Sequence, residues 1–80
     1  MDLKQITISS TEITLKNGTS VLFSYRTPVA AVVPGRGWLK TKQFYSTTTS
    51  KHINRWLADN RVADIVTTVP QSELDQLVAF

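Results

Sequence analysis

The feature that most constrains this chain is a change of hydrophobic period near Tyr45. Before it, apolar and polar residues alternate at period two between turn-forming residues; after it, apolar residues recur at spacings of three and four. The first pattern fits strands with two distinct faces and the second fits helices with one buried stripe. Strands grouped first and helices grouped afterwards predict an α+β domain rather than an alternating α/β one. Eighty residues allow one such domain, spanning the whole chain, and at this size roughly 60% of the unfolded surface is hidden on folding, so the core is thin. The expected architecture is a small twisted, mainly antiparallel β-sheet of four to six short strands, packed by one central helix and a short C-terminal helix.

Residues 5–8 and 12–15 alternate cleanly around Ser9-Ser10-Thr11 and read as a first hairpin. Asn17-Gly18 follows, a pair suited to the positive φ of a type I′ turn, so a second hairpin is expected there. The strand at 20–26 would place Val21, Phe23 and Tyr25 on one face and Leu22, Ser24 and Arg26 on the other. Thr27-Pro28 is expected to interrupt the ladder, because proline donates no amide hydrogen and restricts its predecessor. Val29-Ala30-Ala31-Val32-Val33 is apolar throughout, the mark of a strand buried on both faces. Pro34-Gly35-Arg36-Gly37 reads as a further turn, and residues 38–45 as the next strand, with Trp38, Lys40, Lys42 and Phe44 sharing a side.

Ser46-Thr47-Thr48-Thr49-Ser50 offers several hydroxyls able to cap a helix. Ile53, Trp56 and Leu57 then form one apolar stripe, which predicts a helix over 50–59 with Asn60 as its stop and Trp56 as its anchor. Residues 62–69 read as a further extended segment. Thr68-Val69-Pro70-Gln71 resembles a capping box ahead of a second helix over 70–78, with Leu74, Leu77 and Val78 inward.

Charge is distributed less evenly than the net +3 suggests. No acid occurs in residues 13–58, which carry Lys16, Arg26, Arg36, Lys40, Lys42, Lys51 and Arg55; outside them Lys4 and Arg61 face six carboxylates. A basic middle with acidic flanks suits attraction of an anionic partner, nucleic acid or an acidic protein surface, as well as an ordinary solvated surface. The absence of cysteine removes disulfides and thiolate chemistry. No apolar run approaches the ~18 residues of a membrane helix, and the N-terminal residues lack a signal-like pattern, so no membrane association and a cytoplasmic location are expected.

Catalytic patterns are weak. His52 is the only histidine, so two-histidine metal sites are ruled out and a zinc site is not expected. Ser50 and His52 stand two apart, a spacing that points them away from one another on a helix. Pro34-Gly35-Arg36-Gly37 lacks the Gly-Lys-Ser/Thr continuation of a phosphate loop. No enzymatic activity and no cofactor are expected. The candidate nucleic-acid contacts are Arg26, Arg36, Lys40, Lys42, Lys51 and Arg55, with Thr48, Thr49 and Ser50 as a candidate anion site at the helix N-terminus. Trp38 and Phe44 beside Lys40 and Lys42 give the mixture of rings and cations used on single strands, and equally the mixture found on a core face with snorkelling lysines.

Phe23-Ser24-Tyr25-Arg26-Thr27-Pro28-Val29-Ala30, then Pro34-Gly35-Arg36-Gly37, then the block from Tyr45-Ser46-Thr47-Thr48-Thr49-Ser50 through Lys51-His52-Ile53-Asn54-Arg55-Trp56-Leu57 resemble a family of small uncharacterised proteins of bacteriophages and their hosts. The resemblance spans roughly residues 12–58. It implies a phage or prophage origin, hence a host cytoplasm, and it carries no assigned activity or catalytic residue. The leading expectation is a non-enzymatic binding protein whose basic face engages nucleic acid with little sequence selectivity. The alternative is a host-directed modulator or inhibitor that docks on a protein through its aromatic sheet face or through Leu74, Leu77 and Phe80. A homodimer through a sheet edge is a third expectation, suggested by the apolar strand at 29–33.

Overall fold

The computed structural model describes residues 2–7 and 9–79; Ile8 and Phe80, which figured in the expected first strand and in a C-terminal anchor, lie outside them. The chain folds as β1 (Asp2–Thr7), β2 (Ser10–Thr14), β3 (Ser20–Ser24), β4 (Thr27–Val33), β5 (Gly37–Thr41), α1 (Thr47–Asp59), β6 (Thr67–Val69) and α2 (Gln71–Leu77). The six strands form one sheet in chain order. The first five make an antiparallel meander and β6 joins β5 in parallel, α1 serving as the crossover.

The two sheet faces carry different cores because side chains alternate along each strand. On one face Leu22, Val29 and Ala30 pack under Ile53, Trp56 and Leu57 of α1, with Trp38 and Val32 beside them. On the other, Val21, Ala31, Leu39 and Val69 pack under Leu74 of α2. The helices therefore cover opposite faces, which explains why β4 is apolar at every position after Thr27: it is the fourth of six strands and is roofed on both sides. Its apolarity is core, not edge, so the stated ground for an edge-paired homodimer is removed. Leu74 is fully buried and Leu77 partly so, which takes them from the pool of docking anchors.

Several boundaries differ from the period-based expectation. The Asn17-Gly18 hairpin forms, but with a three-residue loop: the Gly18 amide donates to the Leu15 carbonyl, and Gly18 alone takes positive φ, at +89°. That is a type I turn completed by a left-handed residue, not a type I′ turn. A Cβ on Gly18 would also meet the Pro34 ring at 3.2 Å, a tight contact added to the cost of the left-handed backbone. Tyr25 and Arg26 form a tight turn that no glycine or proline announces; Tyr25 itself takes φ +58°. Thr27-Pro28 does not break the ladder. Pro28 pairs opposite Phe23 and the register shifts beside it, so that Val29 and Ala30 both reach the α1 core.

The strand expected over 38–45 stops at Thr41 because the Thr41 hydroxyl captures the Gln43 amide at 3.1 Å, bending the chain away. The first helix starts earlier than expected, at Thr47, since Ser46 is its N-cap and accepts the Thr49 amide. Its end is a Schellman motif: Arg61 amide to Ala58 carbonyl, Val62 amide to Leu57 carbonyl, and Arg61 left-handed at φ +58° where glycine is usual. Leu57 and Val62 then share the core, as that motif favours. Of the extended segment expected over 62–69 only Thr67–Val69 is strand, the Ile65 amide closing a turn onto the Val62 carbonyl. Pro70 is the N-cap of α2 and makes no side-chain cap, so the expected capping box is not formed.

Candidate nucleic-acid interface

In a meander, successive turns lie at opposite ends of the sheet. The β3–β4 turn with Tyr25 and Arg26, the end of β5 with Lys40 and Lys42, and the start of α1 therefore converge at one end. A largely buried polar chain ties the start of α1 to the end of β3. Ser46 Oγ donates to Thr49 Oγ1 at 3.2 Å, Thr49 Oγ1 lies 3.0 Å from Ser24 Oγ, and Ser24 Oγ lies 2.8 Å from His52 Nδ1. Because Thr49 already accepts from Ser46, the proton order that satisfies each hydroxyl runs Ser46 to Thr49 to Ser24 to His52 Nδ1. The Tyr25 ring leans on His52, centroids 5.9 Å apart. Ser24 and His52 stand at nucleophile–base distance, yet Ser24 is 2% exposed beneath α1 and its hydroxyl is engaged twice.

Between the end of β5 and α1 lies a cleft of about 210 Å³, lined by Lys40, Lys42, Gln43, Phe44, Ser50 and Asn54, with Ile53 also lining it and belonging to the core. Ser50 and Asn54 face it together because they are one helical turn apart. Lys40 is half-buried and has no ion-pair partner among the described residues. Phe44 is 71% exposed and Tyr25 59% exposed, two large rings left in solvent at the same end of the sheet.

The six candidate cations divide. Arg26, Lys40, Lys42 and Lys51 lie at this end, on the β3–β4 turn, β5 and the first turns of α1. Arg36 lies at the opposite end, where its Nη2 is 2.9 Å from Glu73 Oε1 of α2. The seven residues of β4 separate it from Arg26 by about 20 Å, more than two screening lengths at physiological salt. Arg55 is farther along α1 and sits 3.9 Å from Asp59. In the candidate anion site, Thr49 is spent inside the fold, while Ser50 lines the cleft and its amide donates to Ser46. The Thr47 and Thr48 amides have no acceptor among the described residues, and the first turn of α1 carries no acid to neutralise its positive end.

Nothing in the local pattern singles out Tyr25, Gln43 or Asn54; only the Ser50–Asn54 spacing hints at a shared side. The nearby acids are engaged elsewhere. Glu12 accepts the Trp56 indole N–H at 2.6 Å, and Asp75 accepts from Gln71. Tyr45, on the α2 side of this loop, has its phenol pushed above the ordinary tyrosine range by burial and then by the Asp75 carboxylate. No cluster of three or more metal-ligating side chains occurs among the described residues, and no described helix is long and apolar enough to cross a membrane.

Compared with known families, residues 1–76 match a family of unknown function, DUF8033. The chain belongs to that family. No curated protein and no solved structure shows significant similarity to it. Within this DUF8033 member, the features that distinguish this end are the exposed Tyr25 and Phe44 rings and the cleft lined by Lys40 and Lys42; Lys16 and Arg61, also without an ion-pair partner among the described residues, lie at the other end.

Proposed function

We propose that this DUF8033 protein is a small non-enzymatic binding protein of phage or prophage origin, acting in the host cytoplasm, whose basic end engages nucleic acid with little overall sequence selectivity. The observation that carries the reading is the pairing of Lys40 and Lys42 with exposed Phe44 along a cleft that no carboxylate lines, at the end of the sheet that also carries Arg26, Lys51 and exposed Tyr25. Cations that track a backbone, interleaved with rings on which bases stack, are the two requirements for holding single strands. The uncompensated N-terminus of α1 adds unpaired amides pointing the same way. The block from Tyr45 to Leu57 that resembles phage proteins supplies much of this end, which supports the proposed origin.

The competing reading, a host-directed protein ligand, loses Leu74 and Leu77 to the core. The test is an anisotropy titration of labelled single- and double-stranded DNA at low salt. Saturable binding, stronger for the single strand, is expected; its absence for both refutes the proposal.

A further inference from the structure

We infer that the cleft between β5 and α1 is a subsite for one unpaired purine base. The inference rests on the nucleic-acid reading and specifies what enters that site. At about 210 Å³ the cleft is smaller than the ~300–1,000 Å³ of drug-sized pockets, which suits a single flat ring system rather than a dinucleotide. Phe44 stands at its edge as a stacking face, and Ile53 supplies an apolar contact. The polar lining is rich in donors: the Lys40 and Lys42 ammonium groups, the Gln43 and Asn54 carboxamides and the Ser50 hydroxyl. The carboxamides of Gln43 and Asn54 have no hydrogen-bond partner among the described residues.

Such a set matches the Hoogsteen edge of a purine, which presents N7 as an acceptor in both adenine and guanine. Asn and Gln pair with adenine through N6 and N7, and Lys pairs with guanine through O6 and N7. The amino donor of cytosine meets only carboxamide and hydroxyl oxygens here, since the lining has no Asp or Glu, and its single ring offers Phe44 less to stack on than a purine does. A base inside a duplex reaches such a cleft only after unstacking and unpairing, so the subsite also favours single strands. Selectivity is confined to this one position, and the remaining contacts are to backbone and ring faces.

The test uses the full chain and labelled thymidine homopolymers carrying one central adenine, guanine, cytosine or abasic residue, with anisotropy read at fixed low salt. The adenine and guanine strands are expected to bind about tenfold tighter than the cytosine and abasic strands, the discrimination of one good base contact. Asn54→Ala and Gln43→Ala, both at exposed positions, are each expected to shrink that gap by weakening the purine strands more than the plain thymidine strand. Phe44→Ala is expected to weaken every strand. Equal binding of purine and cytosine strands, or a gap that survives both carboxamide variants, overturns the inference and leaves the broader reading intact. Failure to bind any strand overturns both.

Discussion

Replacing Ser24 by alanine removes the middle of the polar chain that fixes the start of α1 to β3. Two contacts are lost, to Thr49 at 3.0 Å and to His52 at 2.8 Å, each worth about 0.5–1.5 kcal/mol net. The Thr49 hydroxyl then keeps its proton without an acceptor at 4% residue exposure, a penalty of about 1–3 kcal/mol for an unsatisfied buried group. The combined loss is about 2–6 kcal/mol, a large fraction of what holds so small a domain. With a urea slope of about 1 kcal/mol per molar, the unfolding midpoint falls by about 2 M or more at unchanged slope. Thr49→Val, nearly the same shape, is expected to cost a comparable amount. The double variant should cost clearly less than the two singles together, because removing both partners leaves no orphaned hydroxyl between them. A Ser24→Ala midpoint within about 0.5 M of the wild type, or strict additivity in the double variant, refutes the chain as the clamp on this end.

Other consequences follow from single positions. Arg61→Gly relieves a left-handed residue at φ +58° and is expected to raise stability by about 0.5–1 kcal/mol, seen as a higher melting temperature; an unchanged or lower one contradicts the Schellman ending. The hydroxyl order requires His52 to accept at Nδ1 and carry its proton on Nε2, so imidazole nitrogen chemical shifts at neutral pH should report that tautomer, and the Nδ1–H form would refute it. Tyr45 should ionise above the ordinary tyrosine range in an absorbance titration, more nearly normally in Asp75→Asn. With the folded value raised, the stabilisation belonging to the protonated phenol holds below the unfolded value and is lost as pH climbs through the folded one. Tyr45 ionising at or below the ordinary value contradicts that placement.

The meander was legible because alternation and turn residues agree over most of the first half, and because Val29-Ala30-Ala31-Val32-Val33 is apolar on both faces, as an interior strand must be. What local pattern withheld was decided by hydroxyls and by backbone strain. Thr41 ends β5 by catching an amide two residues on, Ser46 starts α1 ahead of the apolar stripe, and Tyr25 and Arg61 occupy left-handed positions that composition assigns to glycine. The site was half legible. The acid-free middle of the chain does supply the cations, but Arg26 and Arg36 belong to consecutive hairpin turns and must lie at opposite ends of β4, a consequence of strand polarity rather than charge. Glu73, far along the chain, reaches Arg36 only because α2 packs on the face away from α1.

The most direct test of a phosphate-binding end is the salt dependence of single-strand affinity in the wild type, Lys42→Ala and Arg36→Ala proteins. Four cations at one end predict a log–log slope of about −3 for a single strand, shallower by about 0.7 in Lys42→Ala and unaltered in Arg36→Ala. A slope near zero, or an Arg36→Ala change as large as that of Lys42→Ala, contradicts the account.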